Sequence, residues 1–289
     1  MRRPLLATVL ALSLGSCTRE EPAPATPVAP PDPAVPTVAP LDPATSTVAP
    51  PAFAVPTITL GWTDPDPGTT PLVIAPDRIA LGTGAPIVRL AAGELASADL
   101  RGGEGSFLVP GVQHAIAARS PSTTSLTLAI HPSIPYRTIV RAIYSASQSG
   151  LTAIHLAVRV QGVPRVVPIT LPSAADIEPG APTSSISLTV ALTAGGVIVA
   201  GTGGTIAPGC ERVEQGGGVT VPRSPTGTDV ATLASCLARI HAQLPHENTV
   251  TFAADPAVPF ADLAPAIAAA RGTPSAPLFP RVLLSAGVR

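Results

Sequence analysis

The chain has 289 residues, a formal net charge of −1, 37 prolines and 25 glycines, and 45% of its residues are hydrophobic. Total disorder is excluded, because enough apolar residues remain for a packed core beside the part that is rich in proline and glycine. The 17 basic residues, all arginine, are balanced by 18 acidic ones. The chain therefore lacks the basic excess of a nucleic-acid-binding protein.

The N-terminus has the pattern of a bacterial lipoprotein signal. Arg2 and Arg3 precede the apolar run Leu5 to Leu14, which is shorter than the roughly 20 residues needed to span a bilayer. The tetrad Leu14-Gly15-Ser16-Cys17 is typical of a lipobox, in which the cysteine becomes the lipid-modified first residue. We therefore predict a signal peptide over residues 1–16 and lipidation of Cys17. An ordinary secretory signal with an incidental cysteine is the alternative.

Residues 17–56 form a predicted linker that is dominated by proline, alanine, valine and threonine. A ten-residue unit begins at Val28, Val38 and Val48, the first copy reading VAPPDPAVPT. Each proline fixes φ and removes a backbone donor, so we expect an extended, polyproline-like spacer. A passive tether is the preferred interpretation, because spacings that suit a proline-binding groove arise by chance in so proline-rich a segment.

The uncharged stretch Thr183 to Gly209 is long enough to span a membrane, but its pattern favours strands. Apolar and small or polar residues alternate from Ile186 to Thr193, which is the period of a strand with one buried face. Ala194-Gly195-Gly196 then predicts a hairpin turn, and Val197 to Ala200 the return strand.

An internal repeat occupies the rest of the chain. Leu126 to Ile143 reads LTLAIHPSIPYRTIVRAI and Val250 to Ile267 reads VTFAADPAVPFADLAPAI, with six identities at a constant offset of 124 residues. In each copy an apolar strand ends before a turn, and a proline, Pro135 or Pro259, then opens a helix. The repeat predicts two tandem units, residues 57–175 and 184–289.

Each unit is predicted to read strand, strand, helix, strand, helix, strand. The first helix of the second unit is expected over Asp229 to Gln243, with Asp229 or Thr228 as N-cap, and its counterpart over Val109 to Ala118. Pro265 should make the last helix kink or begin late. The fold class is therefore α+β, with two two-layer sandwiches of a small sheet and two helices on one face.

Two segments carry a resemblance to a known family. Asp255-Pro256-Ala257-Val258-Pro259-Phe260 with the later Leu278 to Gly287, and Ile130 to Tyr136 in the first copy, resemble the periplasmic domain of the ExbD/TolR biopolymer-transport family. The resemblance implies a recognition role in the bacterial envelope. Family members normally begin with a transmembrane helix that carries a buried aspartate, and this chain has a lipoprotein signal instead.

The remaining two cysteines, Cys210 and Cys236, form an even pair in the oxidising compartment that the signal implies. A disulfide between them would connect a glycine-rich loop to a helix. A metal site from Cys236, His241 and His246 is disfavoured, because residues five apart on a helix point in different directions. His241 and His246 are expected to be solvated.

No catalytic motif is evident, and we predict a non-enzymatic protein without cofactor or metal. Gly103 to Phe107 lacks the last glycine of a nucleophile elbow, and Gly201 to Gly204 lacks the lysine of a phosphate-binding loop. The strand-helix turns are the partner-binding candidates, through His131, Tyr136, Asp255 and Phe260, because helix starts have unpaired N–H groups. Core packing of Tyr136 and Phe260 is the alternative.

The predicted function is a lipid-anchored binding component of an envelope transport or energy-transduction assembly, with a partner protein or peptidoglycan as ligand. A structural envelope lipoprotein with no transport role is the alternative. The folded part would face the periplasm, and by analogy the residue after Cys17 favours the outer membrane over the inner one.

Overall fold

The computed structural model describes residues 70–119, 124–151, 153–160, 163–169, 186–210, 215–216, 218–225, 227–273 and 275–285. They all belong to one compact unit, residues 51–289. The predicted signal peptide, Cys17 and the linker of residues 17–56 lie outside the described residues. None of the helices in the described ranges is long and apolar enough to cross a membrane.

The first half of the described chain forms a seven-stranded mixed sheet with two helices. In chain order its strands, β1 to β7, are Leu72–Ala75, Arg78–Leu81, Pro86–Ala91, Glu94–Leu95, Ser125–Ile130, Ala153–Val160 and Val163–Ile169. Helices α1 and α2 are Pro110–Ala117 and Tyr136–Ser147. The strand order is β4-β3-β2-β1-β5-β6-β7, and β5 is parallel to both of its neighbours.

The second half forms another mixed sheet with two helices. Its strands β8 to β13 are Thr189–Thr193, Gly196–Gly201, Gly204–Ile206, Gln215–Gly216, Val221–Pro222 and Thr249–Ala254. A small hairpin of β14 (Gly272–Thr273) and β15 (Ala276–Pro277) precedes β16 (Arg281–Leu284). Helices α3 and α4 are Val230–Gln243 and Phe260–Arg271. The order is β11-β10-β9-β8-β13-β16, with β12 beside β9.

The two halves have the same arrangement around their central parallel strands. β1 pairs antiparallel with β2 and parallel with β5, as β8 does with β9 and β13. The central strand then continues through a helix to a third parallel strand, β6 or β16. Strand β13 and helix α4 begin and end 124 residues after β5 and α2, at the offset of the sequence repeat. That the halves are two copies of one unit stays a prediction.

Apolar side chains from both halves form one hydrophobic cluster. In α2 the apolar residues Ile139, Val140 and Ile143 are buried. Helix α4 packs beyond its own sheet, because Ile267 lines an apolar crevice together with Leu156 and Val167 of the first sheet. The two sheets therefore share one core.

The structure is mixed α+β as predicted, and its sheets are larger than the predicted small ones. From Thr70 onward, where the described residues begin, four strands and not two precede α1. Helix α4 begins at Phe260, immediately after Pro259, so the expectation that Pro265 delays its start is wrong. The hairpin at Ala194 and Gly195 is confirmed between β8 and β9.

Candidate functional site: the paired strand-turn-helix junctions

The two segments that suggested a binding role lie against each other. Pro135 and Pro259 form an antiparallel bridge. On one side the backbone N–H of Tyr136 donates to the carbonyl of Val258 at 2.8 Å, and on the other the N–H of Phe260 donates to the carbonyl of Ile134 at 2.9 Å. We call these segments, residues 131–137 and 255–261, the first and second junction.

A second pair of backbone hydrogen bonds also joins the two junctions. The N–H of Arg137 donates to the carbonyl of Pro256 at 3.1 Å, and the N–H of Ala261 donates to that of Pro132 at 2.9 Å. Neither α2 nor α4 has a side-chain cap. The carbonyls of the opposite junction take that role, because the first N–H groups of a helix have no partner within it.

The expectation that both helix starts have unpaired N–H groups is therefore wrong for the first two residues of each helix. The aromatic candidates are also inside the protein, since Tyr136 and Phe260 are each 1% exposed. Contact of the junctions with another molecule stays a prediction. Any such contact must use the side chains that remain accessible at the turns.

Tyr136 connects the two halves through its hydroxyl. The Oη atom donates to the backbone carbonyls of Ser285 at 2.5 Å and Phe252 at 3.2 Å, which belong to the second half. Burial raises the pKa of this hydroxyl well above its usual range, because the interior disfavours the charged phenolate. Tyr136 is thus a neutral donor that fixes the start of α2 above the strands β13 and β16.

His131 and Asp255 occupy the same place in the two junctions and have different contacts. The backbone N–H of each donates to the preceding parallel strand, to Ile74 and to Leu192 respectively. The Asp255 carboxylate accepts the N–H of Ala194 at 3.0 Å, in the hairpin turn between β8 and β9. His131 Nδ1 instead lies 2.8 Å from Ser133 Oγ. Asp255 therefore caps a hairpin turn, and not α4.

Ion pairs beside the junctions were not predicted from the sequence. Arg137 Nε donates to Glu94 Oε2 at 2.6 Å, and Arg223 Nη2 donates to Asp262 Oδ2 at 2.7 Å. The hydrogen bond that Arg137 donates to the Glu94 carboxylate raises the pKa of Arg137. The partners are 43 and 39 residues apart in the chain, so no local spacing indicated them.

The predicted cysteine pair lies at disulfide distance. The Cα atoms of Cys210 and Cys236 are 5.1 Å apart, and both residues are buried. Gln243 Nε2 donates to the carbonyl of Cys210 at 3.4 Å, and Arg239 donates to that of Gly209. The loop before β11 is thus attached to α3 by the cysteine pair and by two side chains of the helix.

The histidines near this helix are not grouped with the cysteine. The expectation that His241 is solvated is wrong, since its ring packs edge-on against Phe279 with centroids 5.4 Å apart. His246 is exposed. Across the described ranges, no group of three or more His, Cys, Asp or Glu side chains is arranged to hold a metal ion.

Comparison with known proteins gives no family for this chain. No family model matches, and neither a curated protein nor a solved structure is similar enough to be a match. Membership of the ExbD/TolR family stays a prediction that depends on the residues of the two junctions.

Proposed function

We propose that this chain is a non-enzymatic, lipid-anchored protein of the bacterial envelope that resembles the periplasmic part of ExbD/TolR transporters. It acts as a binding component of a transport or energy-transduction assembly. Its ligand is a partner protein or peptidoglycan. The lipid on Cys17 holds it to the membrane, with the outer membrane favoured, and the linker lets the folded part extend into the periplasm.

The main support for this proposal is that the two segments that resemble this family have the same arrangement. Both form a parallel strand, a proline-containing turn and a helix with an aromatic first residue, at identical spacing. The arrangement supports a family-like scaffold and does not depend on a catalytic group. Such a scaffold is suited to binding a ligand on its surface.

A second candidate is a structural envelope lipoprotein with no transport role. The observation that favours it is the mutual pairing of the junctions, which uses their backbone donors and buries their aromatic residues. In this alternative the junctions only join the two halves. The two candidates differ in whether the folded part captures a ligand.

Membrane attachment is tested first, with Cys17→Ala. We expect the variant to leave the membrane fraction while the wild type stays in it, because the signal's apolar run is too short to anchor the protein after export. A variant that still sediments with membranes would show that another segment is the anchor.

Ligand capture is tested with the mature protein on purified peptidoglycan sacculi and, separately, by crosslinking in intact envelopes. His131→Ala removes a partly exposed side chain of the first junction, and His114→Ala removes an exposed one from α1 as the matched control. Weaker capture by His131→Ala alone supports recognition through the junction. Absence of capture by the wild type in both assays supports the structural candidate.

A further inference from the structure

Helix α2 has a row of large polar and aromatic side chains on its solvent-facing side. Residues at steps of four, three and four along a helix lie within about 60° of one another around its axis. In α2 and its C-cap these residues are Arg137, Arg141, Tyr144 and Gln148, and none of them is buried. We call this row, which is about 16 Å long, the α2 stripe. It begins at the last residue of the first junction.

The fold of the other half does without these functional groups. The positions 124 residues later, on α4 and at its end, are occupied by Ala261, Pro265, Ala268 and Gly272. There Ala268 lines the crevice against the first sheet together with Leu156. Helix α4 thus forms with no guanidinium, phenol or amide group at these positions. The side chains of the α2 stripe therefore call for an explanation other than the folding of the helix.

Tyr144 gives the α2 stripe an accessible aromatic ring. Of the large hydrophobic side chains in the described ranges, only Tyr144, at 39%, and Val166 are exposed. The ring of Tyr144 meets the partly buried ring of Phe107 edge-on, with centroids 6.1 Å apart and an angle of 61° between the ring planes. Phe107 therefore supports Tyr144 from one side and leaves part of its ring open to a ligand.

The loop that contains Phe107 is fixed to α2. The backbone N–H of Val109 donates to Ser145 Oγ at 2.8 Å, and this hydrogen bond is buried. Earlier in the loop, the carbonyl of Glu104 accepts a hydrogen bond from Arg141 Nη2. The two aromatic rings are thus in place before a ligand binds, so binding would cost little conformational entropy.

The charges along the α2 stripe are balanced. Arg137 forms an ion pair with Glu94. The carboxylates of Glu94 and Glu104 are both close enough to stabilise the charge of Arg141. Two arginines and two glutamates leave no net charge, so the stripe lacks the basic excess that attracts a polyanion. The guanidinium groups and the amide of Gln148 nevertheless offer N–H donors to a neutral ligand.

We infer that the α2 stripe binds a neutral carbohydrate chain, which in the bacterial envelope is the glycan of peptidoglycan. The inference rests on the proposed function and narrows its ligand. A sugar ring has an apolar C–H face that packs on the ring of Tyr144, and its hydroxyl and acetamido oxygens accept hydrogen bonds from Arg141 and Gln148, about one turn to either side. A single exposed tyrosine provides too little apolar area for the core of a protein–protein interface.

The test measures how the mature protein binds a chito-oligosaccharide, a neutral chain of N-acetylated sugars, by titration calorimetry. Tyr144→Ala should weaken binding about tenfold or more, because the aromatic surface is lost, and Tyr144→Phe, which keeps the ring, should weaken it much less. Val166→Ala removes the other exposed apolar side chain and is the matched control, which should bind like the wild type. Circular dichroism checks folding, and if Tyr144→Ala does not fold, a several-fold loss in Gln148→Ala decides.

The same variants are then compared on purified sacculi and by crosslinking in intact envelopes. If the wild type captures sacculi and Tyr144→Ala captures them equally well, the assignment of the α2 stripe is overturned and the proposed function stands. The assignment is also overturned if the folded wild type does not bind the oligosaccharide, if it binds free stem peptide more tightly, or if Tyr144 crosslinks only to a protein. A wild type that captures neither sacculi nor a partner protein overturns the proposed function itself.

Discussion

At the scale of single residues, the two junctions show how one position serves different purposes. The turn residue after β8 is Ala194, whose N–H is accepted by Asp255. The corresponding turn residue after β1 is Pro76, which has no N–H, and the position of Asp255 is occupied by His131. The second half thus has both the turn N–H and the carboxylate that accepts it, and the first half has neither of these two groups.

We predict that Asp255→Ala lowers the free energy of unfolding by about 1 kcal/mol, because the hairpin turn loses a charge-assisted hydrogen bond at a partly exposed site. His131→Ala, at the matching position, should change it by less than about 0.5 kcal/mol. Urea unfolding of both variants measures the difference. Equal losses would contradict this account of the two positions.

Tyr136 allows a prediction about pH. Tyr136→Phe should lose about 1 kcal/mol at neutral pH, because the buried carbonyl of Phe252 and the partly buried carbonyl of Ser285 lose a donor. The folded pKa is raised, so this residue opposes unfolding fully below its ordinary pKa of about 10 and progressively less as the pH rises above it.

The measurement is the free energy of unfolding of both proteins between pH 8 and the most alkaline condition that is practicable, on the order of pH 11. The advantage of the wild type over Tyr136→Phe should shrink, since only the wild type releases this proton on unfolding. An advantage that is constant across the range would show that Tyr136 does not titrate differently in the two states.

At the scale of elements, α3 is the helix whose limits follow most directly from local chemistry. Asp229 is its N-cap, and its carboxylate accepts the backbone N–H of Thr232 at 3.0 Å. This hydrogen bond is the main cause of the lowered pKa of Asp229. The predicted helix and its cap at Asp229 are confirmed together, because both depend on neighbours within a few turns.

We predict that Asp229→Ala costs about 1 kcal/mol at neutral pH, the usual value of an N-cap. Because the folded pKa is lowered, the contribution is complete above the ordinary pKa of about 3.9 and is lost as the pH falls through the lower folded value. Unfolding from pH 7 to pH 2 should show the two proteins converging. Asp229→Asn, which keeps a capping oxygen, should show a smaller loss at neutral pH.

The hairpin of β8 and β9 gives a second prediction at this scale. Gly196 has φ of +138°, and a Cβ atom there would lie 2.3 Å from the carbonyl oxygen of Val221. Gly196→Ala should therefore cost roughly 1–3 kcal/mol or more, through strain and displacement of β12. Gly203→Ala, where a Cβ meets nothing within 4 Å, is the control and should cost much less.

The elements that the sequence did not predict are those specified by distant contacts. Strand β4 has only two residues, and α2 holds the turn that joins it to β3, where Thr138 Oγ1 donates to the carbonyl of Gly93 at 2.8 Å. The start of α4 depends on the carbonyls of the first junction. The hydrophobic period of a segment indicates which of its faces is buried. It does not indicate which residues more than 100 positions away will contact that segment. The sequence repeat identified both junctions, but their contact with each other is seen only in the structure.

At the scale of the whole molecule, the core and the junctions connect the halves more strongly than the chain between them does. Helix α4 packs on the first sheet, Tyr136 bonds to β13 and the residue after β16, and four backbone hydrogen bonds join the junctions. Such an interface resembles that of an obligate dimer, in which each partner completes the other. We expect the two halves to unfold as one cooperative unit, and not as two independent domains.

We therefore predict that a protease site inserted between residues 175 and 184 can be cut without separating the halves. The fragments should co-elute in gel filtration at micromolar concentration and separate only in denaturant, because the helix starts and the shared core would otherwise be exposed to water. Cutting also removes the effective concentration that the tether provides, so the melting temperature should become dependent on protein concentration. Phe260→Ala, which empties a buried site of the second junction, should make the cut protein dissociate at higher concentration than the wild type. Fragments that elute apart under native conditions would mean that the halves are independent domains, and that the junctions are free to meet a partner.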